Sequence, residues 1–424
     1  MVTESRGEDT SEVMRDPCFR RLWFADGFRY SAAEVAAFAL PITAVLLLEA
    51  GPMEIGLIAV CARIGYLAVG LPAGAWIDRW TKRTVMIIAE IVYALAFASV
   101  PVAYWLDWLT VPHLFVVAVA TSVAGVFFDV SHISVLPLII TKRRVADGNA
   151  RLQTSKSTIQ AVAPSTAGVL TQVVAAPLLY AMASFFHLVS LLLVRSIRVD
   201  EDAGDRRHGR RRRLRQEIVE GLRIVVRQPL LRLLISQAAL NNLGAGVILT
   251  VLPLFLLRDI GMEPWMYGLL STMGAVAGIT ASLVAPGLRR RFGEIRMTMV
   301  FSALAPVAVV AAPMAGLIPA VAVPLVATAQ MLIGFVVVGR AIAAAGLRVR
   351  VTSTLFMARV TAANGVVTQG TLPLGALIGG AMAAVWSTST ALWIGVVIMA
   401  IPVVLLVRSP LRKHRSLPPE WEKE

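Results

Sequence analysis

Among the ionisable residues that stand inside long apolar runs in the first half of the chain are Glu34, Arg63, Glu90 and Asp129. A charge near the centre of a membrane-spanning helix costs about 2.5 to 3.5 kcal/mol on insertion scales, so each needs a partner, water or a task. The task open to a carboxylate in such a place is reversible proton binding, because neutralising it removes a desolvation penalty that can then bias a conformational equilibrium. At 1.5 Å per residue, Glu34 lies about 10 Å above the inner end of the first apolar run and Arg63 about 15 Å below the outer end of the second, so the two meet in depth near the midplane. On one reading Glu34 is the protonatable group, alternately protonated and paired with Arg63, and Asp129 is a second acid on the proton route. On the other, Glu34, Arg63 and Glu90 form a static ion network. The second half has no acid within its apolar runs and offers Gln237, Asn241, Asn242, Gln330, Asn364 and Gln369. Asn241 and Asn242, with Gln237 and Gln369, are the candidate substrate contacts, and interhelical hydrogen bonding is their alternative role. His132, His187 and Met262 read as packing or surface groups.

These residues need a scaffold that holds charge within a bilayer, and composition points to one. The chain has 424 residues, of which 57% are hydrophobic and 16% charged, with a mean hydropathy of +0.73. A soluble protein of this size needs far more polar surface. Two cysteines, Cys18 and Cys61, and five histidines without H-x-x-x-H or C-x-x-C spacing leave no disulfide framework and no metal site. A net charge of +14 could suit nucleic acid, but the basic residues interrupt apolar runs rather than gather on one face with aromatics, so no nucleic-acid partner is expected.

A bilayer core needs about 20 apolar residues as helix, and twelve runs fit: 27–48, 53–77, 84–106, 111–138, 155–175, 176–195, 232–257, 265–287, 297–316, 319–343, 361–385 and 389–408. The pair at 155–195 has almost no loop at Ala175, Ala176 and Pro177. With both termini cytoplasmic, 36 of the 40 Lys and Arg fall in the inner segments, as the positive-inside rule requires. The first 26 residues lack the apolar stretch and cleavage site of a signal peptide. The resulting organisation is a cytoplasmic tail (1–26), a six-helix bundle (27–195), a basic linker (196–231), a second six-helix bundle (232–408) and a cytoplasmic tail (409–424). Within the linker, Arg210 to Arg213 precede Leu214, Ile218, Leu222, Ile224 and Val225, whose spacing reads as an amphipathic helix on the inner surface.

The halves are related. Pro17 to Leu22 precede Pro229 to Leu234 by 212 residues, Leu40-Pro41 precede Leu252-Pro253 by the same step, and Ile55 to Ile58 precede Tyr267 to Leu270 likewise. Three matches in one register indicate a duplicated bundle, and a parallel repeat is the architecture of transporters that rock two bundles about a central site.

After the second run come Gly74, Asp78, Arg79, Lys82 and Arg83. They resemble the G-x-x-x-D-R-x-G-R-R loop of the major facilitator superfamily, with Thr81 where the family has glycine. The same register in the second half gives Pro286 to Arg296, with Arg290 in place of the acid. Ala39-Leu40-Pro41, Phe127 to Pro137, Gly148 to Gly168 and Leu372 to Gly380 resemble the drug:proton antiporter branch with macrolide-efflux-like and enterobactin-exporter-like members. That branch has G-P-x-x-G-G in its fifth helix; here the segment is Ala163 to Gly168, keeping Pro164 and Gly168. It usually has an aspartate one position before Glu34, where this chain has Ala33, and by that likeness Glu34 is a displaced version of the acid. The resemblance spans about Phe19 to Arg408. It implies an all-α membrane protein of twelve transmembrane helices in two pseudo-symmetric bundles, a monomer in a bacterial-type plasma membrane. It also implies proton-coupled export of small amphipathic drugs, antibiotics or natural products by alternating access, with the proton as coupling ion and no other cofactor. Its competitors are a dedicated siderophore or metabolite exporter, an uncoupled facilitator, and a receptor or scaffold that does not transport. No phosphate loop of the G-x-x-x-x-G-K-[ST] kind is present, and no catalytic motif stands in the apolar runs, so an ATP-driven pump and an enzyme are not expected.

Overall fold

The computed structural model describes residues 13–70, 76–77, 80–141, 144–197, 220, 223–352 and 356–409. Twelve α-helices follow one another through them. In the first half they are α1 (Pro17–Ile42), α2 (Pro52–Ala68), α3 (Lys82–Trp105), α4 (Val111–Ile139), α5 (Val145–Leu170) and α6 (Ala176–Ser196). In the second they are α7 (Pro229–Leu254), α8 (Pro264–Phe292), α9 (Glu294–Ala315), α10 (Ala322–Val351), α11 (Met357–Val385) and α12 (Thr388–Arg408). Ten are long and apolar enough to cross a membrane. The other two are α2, described over 17 residues, and α5, whose first half carries Asp147, Arg151 and Lys156.

The 212-residue step survives in three dimensions. Pro17 and Pro229, Pro52 and Pro264, Lys82 and Glu294, Val145 and Met357, and Ala176 and Thr388 open matching helices 212 residues apart. A five-residue π turn follows α1 at Thr43–Leu47 and α7 at Phe255–Asp259, again in register. The packing repeats too: α1 lies on α5 and α6 and α3 on α4 and α6, as α7 lies on α11 and α12 and α9 on α10 and α12.

The first helix starts ten residues earlier than its apolar run. Asp16 caps it, its carboxylate accepting from the amides of Cys18 at 2.7 Å and Phe19 at 3.1 Å, and Pro17 sits where no amide is needed. Asp26 and Arg29, placed by sequence in the tail and at the edge of the run, are therefore inside α1 and buried. The fifth helix also starts ten residues early, and five residues separate Leu170 from Ala176 where almost no loop was expected.

Close contacts divide the chain into one unit of Met1–Leu48 with Cys61–Gly209 and another of Glu49–Val60 with Arg210–Glu424. The opening turns of α2 thus count with the second unit, where an added Cβ on Gly56 would lie 2.9 Å from the Ala376 carbonyl and 3.2 Å from Gly380 Cα. The first unit's core gathers Phe19, Leu22, Met86, Phe128 and Leu136; the second's gathers Leu252, Phe255, Leu270, Phe301 and Val309. Glycine sets the tightest crossings, since small residues let helix backbones touch. A Cβ on Gly65 would lie 2.4 Å from the Ser122 carbonyl oxygen, and one on Gly334 1.9 Å from that of Gly274. Large apolar side chains such as Leu95, Val116, Ile133 and Leu283 stand outward, as expected of a bundle solvated by lipid rather than water.

The linker's Arg210 to Arg213 and Leu214, Ile218 and Leu222 lie outside the described residues. Where the linker is described, residues 223–227 are helical. Val225 is buried against Leu231, Ile295 and Leu347, so this end of the amphipathic stretch packs into the second unit's core instead of lying on its surface.

Candidate functional site

In the first unit the buried charges converge on Arg29. It lies three residues after Asp26 on α1, while Asp129 and His132 stand three apart on α4, a spacing that puts each pair on one helix face. Arg29 Nη2 is 3.2 Å from Asp129 Oδ1 and 3.6 Å from Asp26 Oδ1. The guanidinium also lies over the rings of Phe128, at 4.3 Å, and Tyr30, at 4.5 Å, where the ring faces favour a cation. Tyr66, near the end of α2, donates its hydroxyl to Asp129 Oδ2. Three helices therefore meet at one carboxylate. His132 Nε2 stands 3.6 Å from Asp26 Oδ1 and its ring stacks on Phe128. Asp26 and Arg29 are sealed, with side-chain exposures of 4% and 7%, whereas Asp129 is the partly exposed member, at 34%.

Glu34 and Arg63 do not pair. Glu34 is five residues beyond Arg29, about 140° further round α1 at 100° per residue, and its carboxyl is hydrogen-bonded by Gln160 with Lys156 close by, both on α5. Arg63 is exposed on α2, one turn before Tyr66. Depth in the membrane brought the two together on paper; azimuth separates them. The partner that sequence reasoning gave to Glu34 is therefore corrected: among the described residues the arginine that pairs with buried carboxylates in this bundle is Arg29, with Asp129 and Asp26. The D-x-x-R of residues 26–29 facing the D-x-x-H of residues 129–132 was the available signal, missed because Asp26 had been assigned to the tail.

Glu90 sits in a second, closed cluster at the α3–α6 seam. Its carboxylate meets His187 Nδ1 at 2.6 Å and accepts from Ser190 Oγ at 2.8 Å, with both Glu90 and His187 at 0% exposure. Tyr93 stacks on the His187 ring, centroids 4.4 Å apart. His187 is thus a hydrogen-bonding partner of a buried acid rather than a packing group. Gly125 on α4 leaves room for Tyr93, since a Cβ there would lie 2.6 Å from its hydroxyl.

Of the loop after α2, Gly74, Asp78 and Arg79 lie outside the described residues. Lys82 opens α3, and Arg83 donates to the Arg195 carbonyl at the end of α6. In the second half the carboxylate absent at position 290 is supplied four residues on. Glu294, at the start of α9, is 3.1 Å from Arg350 Nη1 and 3.8 Å from Arg289 Nη1. Relative to Asp78 and Lys82 in the first half, Arg290 and Glu294 are the same two positions with their signs exchanged. Pro164 and Gly168 are both buried on α5.

The amide side chains of the second unit are mostly occupied. Gln237 is fully buried and donates to Ser302 Oγ at 2.7 Å, and Asn241 donates to the Gln237 carbonyl at 3.3 Å. Asn242 ties α7 to the Thr368 carbonyl of α11 at 2.8 Å. Gln369 is exposed.

Residues 22–371 match the Major Facilitator Superfamily. Among curated proteins no sequence matches. Of solved structures, the chain is similar to a bacterial homologue of the iron transporter ferroportin in an inward-facing state, with a TM-score of 0.73 and 16% identity over 92% of this chain and 98% of that one. It is also similar to the nucleoside transporter NupG, with a TM-score of 0.71 and 11% identity over 94% and 99%. A bacterial homologue of the human lysosomal transporter Spinster gives 0.65 and 14% over 94% and 95%.

Proposed function

Because the chain belongs to the Major Facilitator Superfamily, and is therefore a multi-pass membrane transporter of small molecules rather than an enzyme, we propose that it exports small amphipathic compounds in exchange for protons, with Asp129 as the coupling group. The observation that carries this reading is the Asp26–Arg29–Asp129 cluster, in which one cation is shared by a sealed and a partly exposed carboxylate.

Ionised Asp129 draws Arg29 toward α4 and accepts the Tyr66 hydroxyl, so α1, α2 and α4 are held at one point. A proton on Asp129 cancels its attraction for Arg29, which keeps Asp26 as its only carboxylate in the cluster. Such a change in a buried pair has the size needed to shift a two-state equilibrium, because each state's stability then depends on where the proton sits. Glu34, with Gln160 and Lys156 on α5, is a second proton-binding carboxylate in the same bundle. The second bundle supplies polar contacts to the cargo from Asn242 and Gln369, and from Gln237 and Asn241 where the helices part. Both termini are cytoplasmic, Lys82 and Arg83 anchor the inner face, and the protein works as a monomer in a bacterial-type plasma membrane.

The experiment is movement of a panel of amphipathic cations, zwitterions and acids into inverted membrane vesicles under an imposed pH gradient. Native chain that moves a member of the panel, and an Asp129→Asn variant that no longer responds to the gradient, support the reading. Movement indifferent to the gradient in the native chain makes the protein an uncoupled facilitator.

A further inference from the structure

We propose that Arg340, in the membrane interior of α10, receives an anionic group of the cargo: a carboxylate, sulfonate or phosphate on a small amphipathic molecule. The inference deepens the transport reading above and rests on it for the existence of a cargo.

Arg340 lies in the apolar span Ala322–Arg348, eight residues or about 12 Å before its end. At 100° per residue it shares a stripe of α10 with Ala322, Val326, Ala329 and Leu347, all of them buried, so it lies on the buried side of α10 rather than toward lipid. Its Nε is out of solvent without a hydrogen-bond partner. Among the described residues no carboxylate comes within ion-pair distance of it.

The sequence explains why none does. Between Glu294 and Glu420 the chain contains no Asp or Glu, so α10, α11 and α12 carry no acid at all. Among the described residues of this unit, Glu294 pairs with Arg350 and Arg289, Glu220 pairs with Arg359, Asp259 accepts from Thr388, Glu263 from Trp265 and Glu54 from the Gly51 amide, while Glu49 is exposed.

The internal repeat sharpens the contrast. A step of 212 residues carries Arg29 to Asn241 and Asp129 to Ala341, the neighbour of Arg340. The first unit thus places a cation on α1 against an acid on α4, whereas the corresponding helices of the second unit, α7 and α10, hold an amide and a lone cation. An isolated cation at that depth is costly, and a guanidinium offers a planar fork matched to the two oxygens of a carboxylate or phosphate. An anionic ligand supplies the charge that the second unit lacks.

The test uses the purified full-length chain in detergent and dansyl-amino acids, each beside its uncharged methyl ester. The expected result is that at least one acid binds native protein about tenfold or more tightly than its ester. That preference is lost in Arg340→Gln and largely kept in Arg340→Lys. Without ligand, Arg340→Gln melts at or above the native temperature, because it removes an unpaired charge. The proposal is overturned if no acid is preferred over its ester, if the preference survives in Arg340→Gln, or if ligand-free Arg340→Gln melts several degrees lower, which would show a structural partner. Transport of the same pairs in proteoliposomes separates the two readings. Acid-selective binding at Arg340 without gradient-driven movement would fail the transport reading alone, and equal movement of acid and ester by native and variant would fail this one alone.

Discussion

Replacing Asp129 by Asn removes the carboxylate that holds Arg29 at 3.2 Å and leaves Asp26 at 3.6 Å. Two unit charges 3.2 Å apart attract by about 5 kcal/mol at an effective dielectric of 20. Two features of the site lower that figure. Asp129 is 34% exposed, so the pair is not fully enclosed by protein, and Asp26 continues to neutralise Arg29. A net loss of about 1 to 2 kcal/mol remains, enough to lower the melting temperature of the purified protein modestly without unfolding it. For coupling, 1.36 kcal/mol corresponds to about tenfold. Gradient-driven transport in proteoliposomes should therefore fall by about tenfold or more, while counterflow exchange without a gradient stays within about twofold. Asp129→Glu keeps the charge and should restore part of the gradient response. The reasoning is refuted if gradient-driven transport and counterflow fall together, or if Asp129→Asn responds to the gradient as the native chain does.

Three further outcomes follow from other parts of the structure. Glu90→Ala strips His187 and Ser190 of their common partner at zero exposure and should cost about 3 to 5 kcal/mol in denaturation of the purified protein, with Glu90→Gln costing less; equal melting of Glu90→Ala and native would exclude the buried pair. Gly334→Ala drives a Cβ to 1.9 Å from the Gly274 carbonyl, backbone against backbone, and should cost about 1 to 3 kcal/mol or more. Gly365→Ala, with nothing within 4 Å, is its control, and similar thermal stability of the two variants would contradict the α8–α10 crossing. Glu34→Gln should slow gradient-driven transport by less than Asp129→Asn does in the same vesicles; the reverse order would move the coupling role to the α1–α5 face.

The fold was legible because its signal is distributed. Twelve apolar runs and a 212-residue echo survive weak identity at any one position, and Pro229, Pro264 and Glu294 open helices where the echo of Pro17, Pro52 and Lys82 requires. The helix ends were less legible, since a cap such as Asp16 extends a helix beyond the apolar run that announces it. The site depended on those ends. With α1 started at residue 27, Asp26 fell outside the membrane and Arg29 lost a partner. Pairing was the other obstacle: depth follows from counting residues, but which side chains meet depends on rotation about each helix axis and on the neighbour chosen. That is why Glu34 was matched to Arg63 when its neighbours are Gln160 and Lys156. Asp129 was found because an acid in a long apolar run is expensive wherever it points. Glu294 escaped notice as the second half's carboxylate because it had moved one helical turn, from the loop into the next helix.

The claim that proton movement drives this transporter is tested most directly by recording both fluxes at once. Proteoliposomes holding native protein and an internal pH-sensitive dye would be given a compound of the amphipathic panel with no gradient imposed. Movement of the compound should change the internal pH, in the direction of proton counter-movement, and Asp129→Asn should lose the pH change. Movement of the compound with no pH change in the native chain would contradict it.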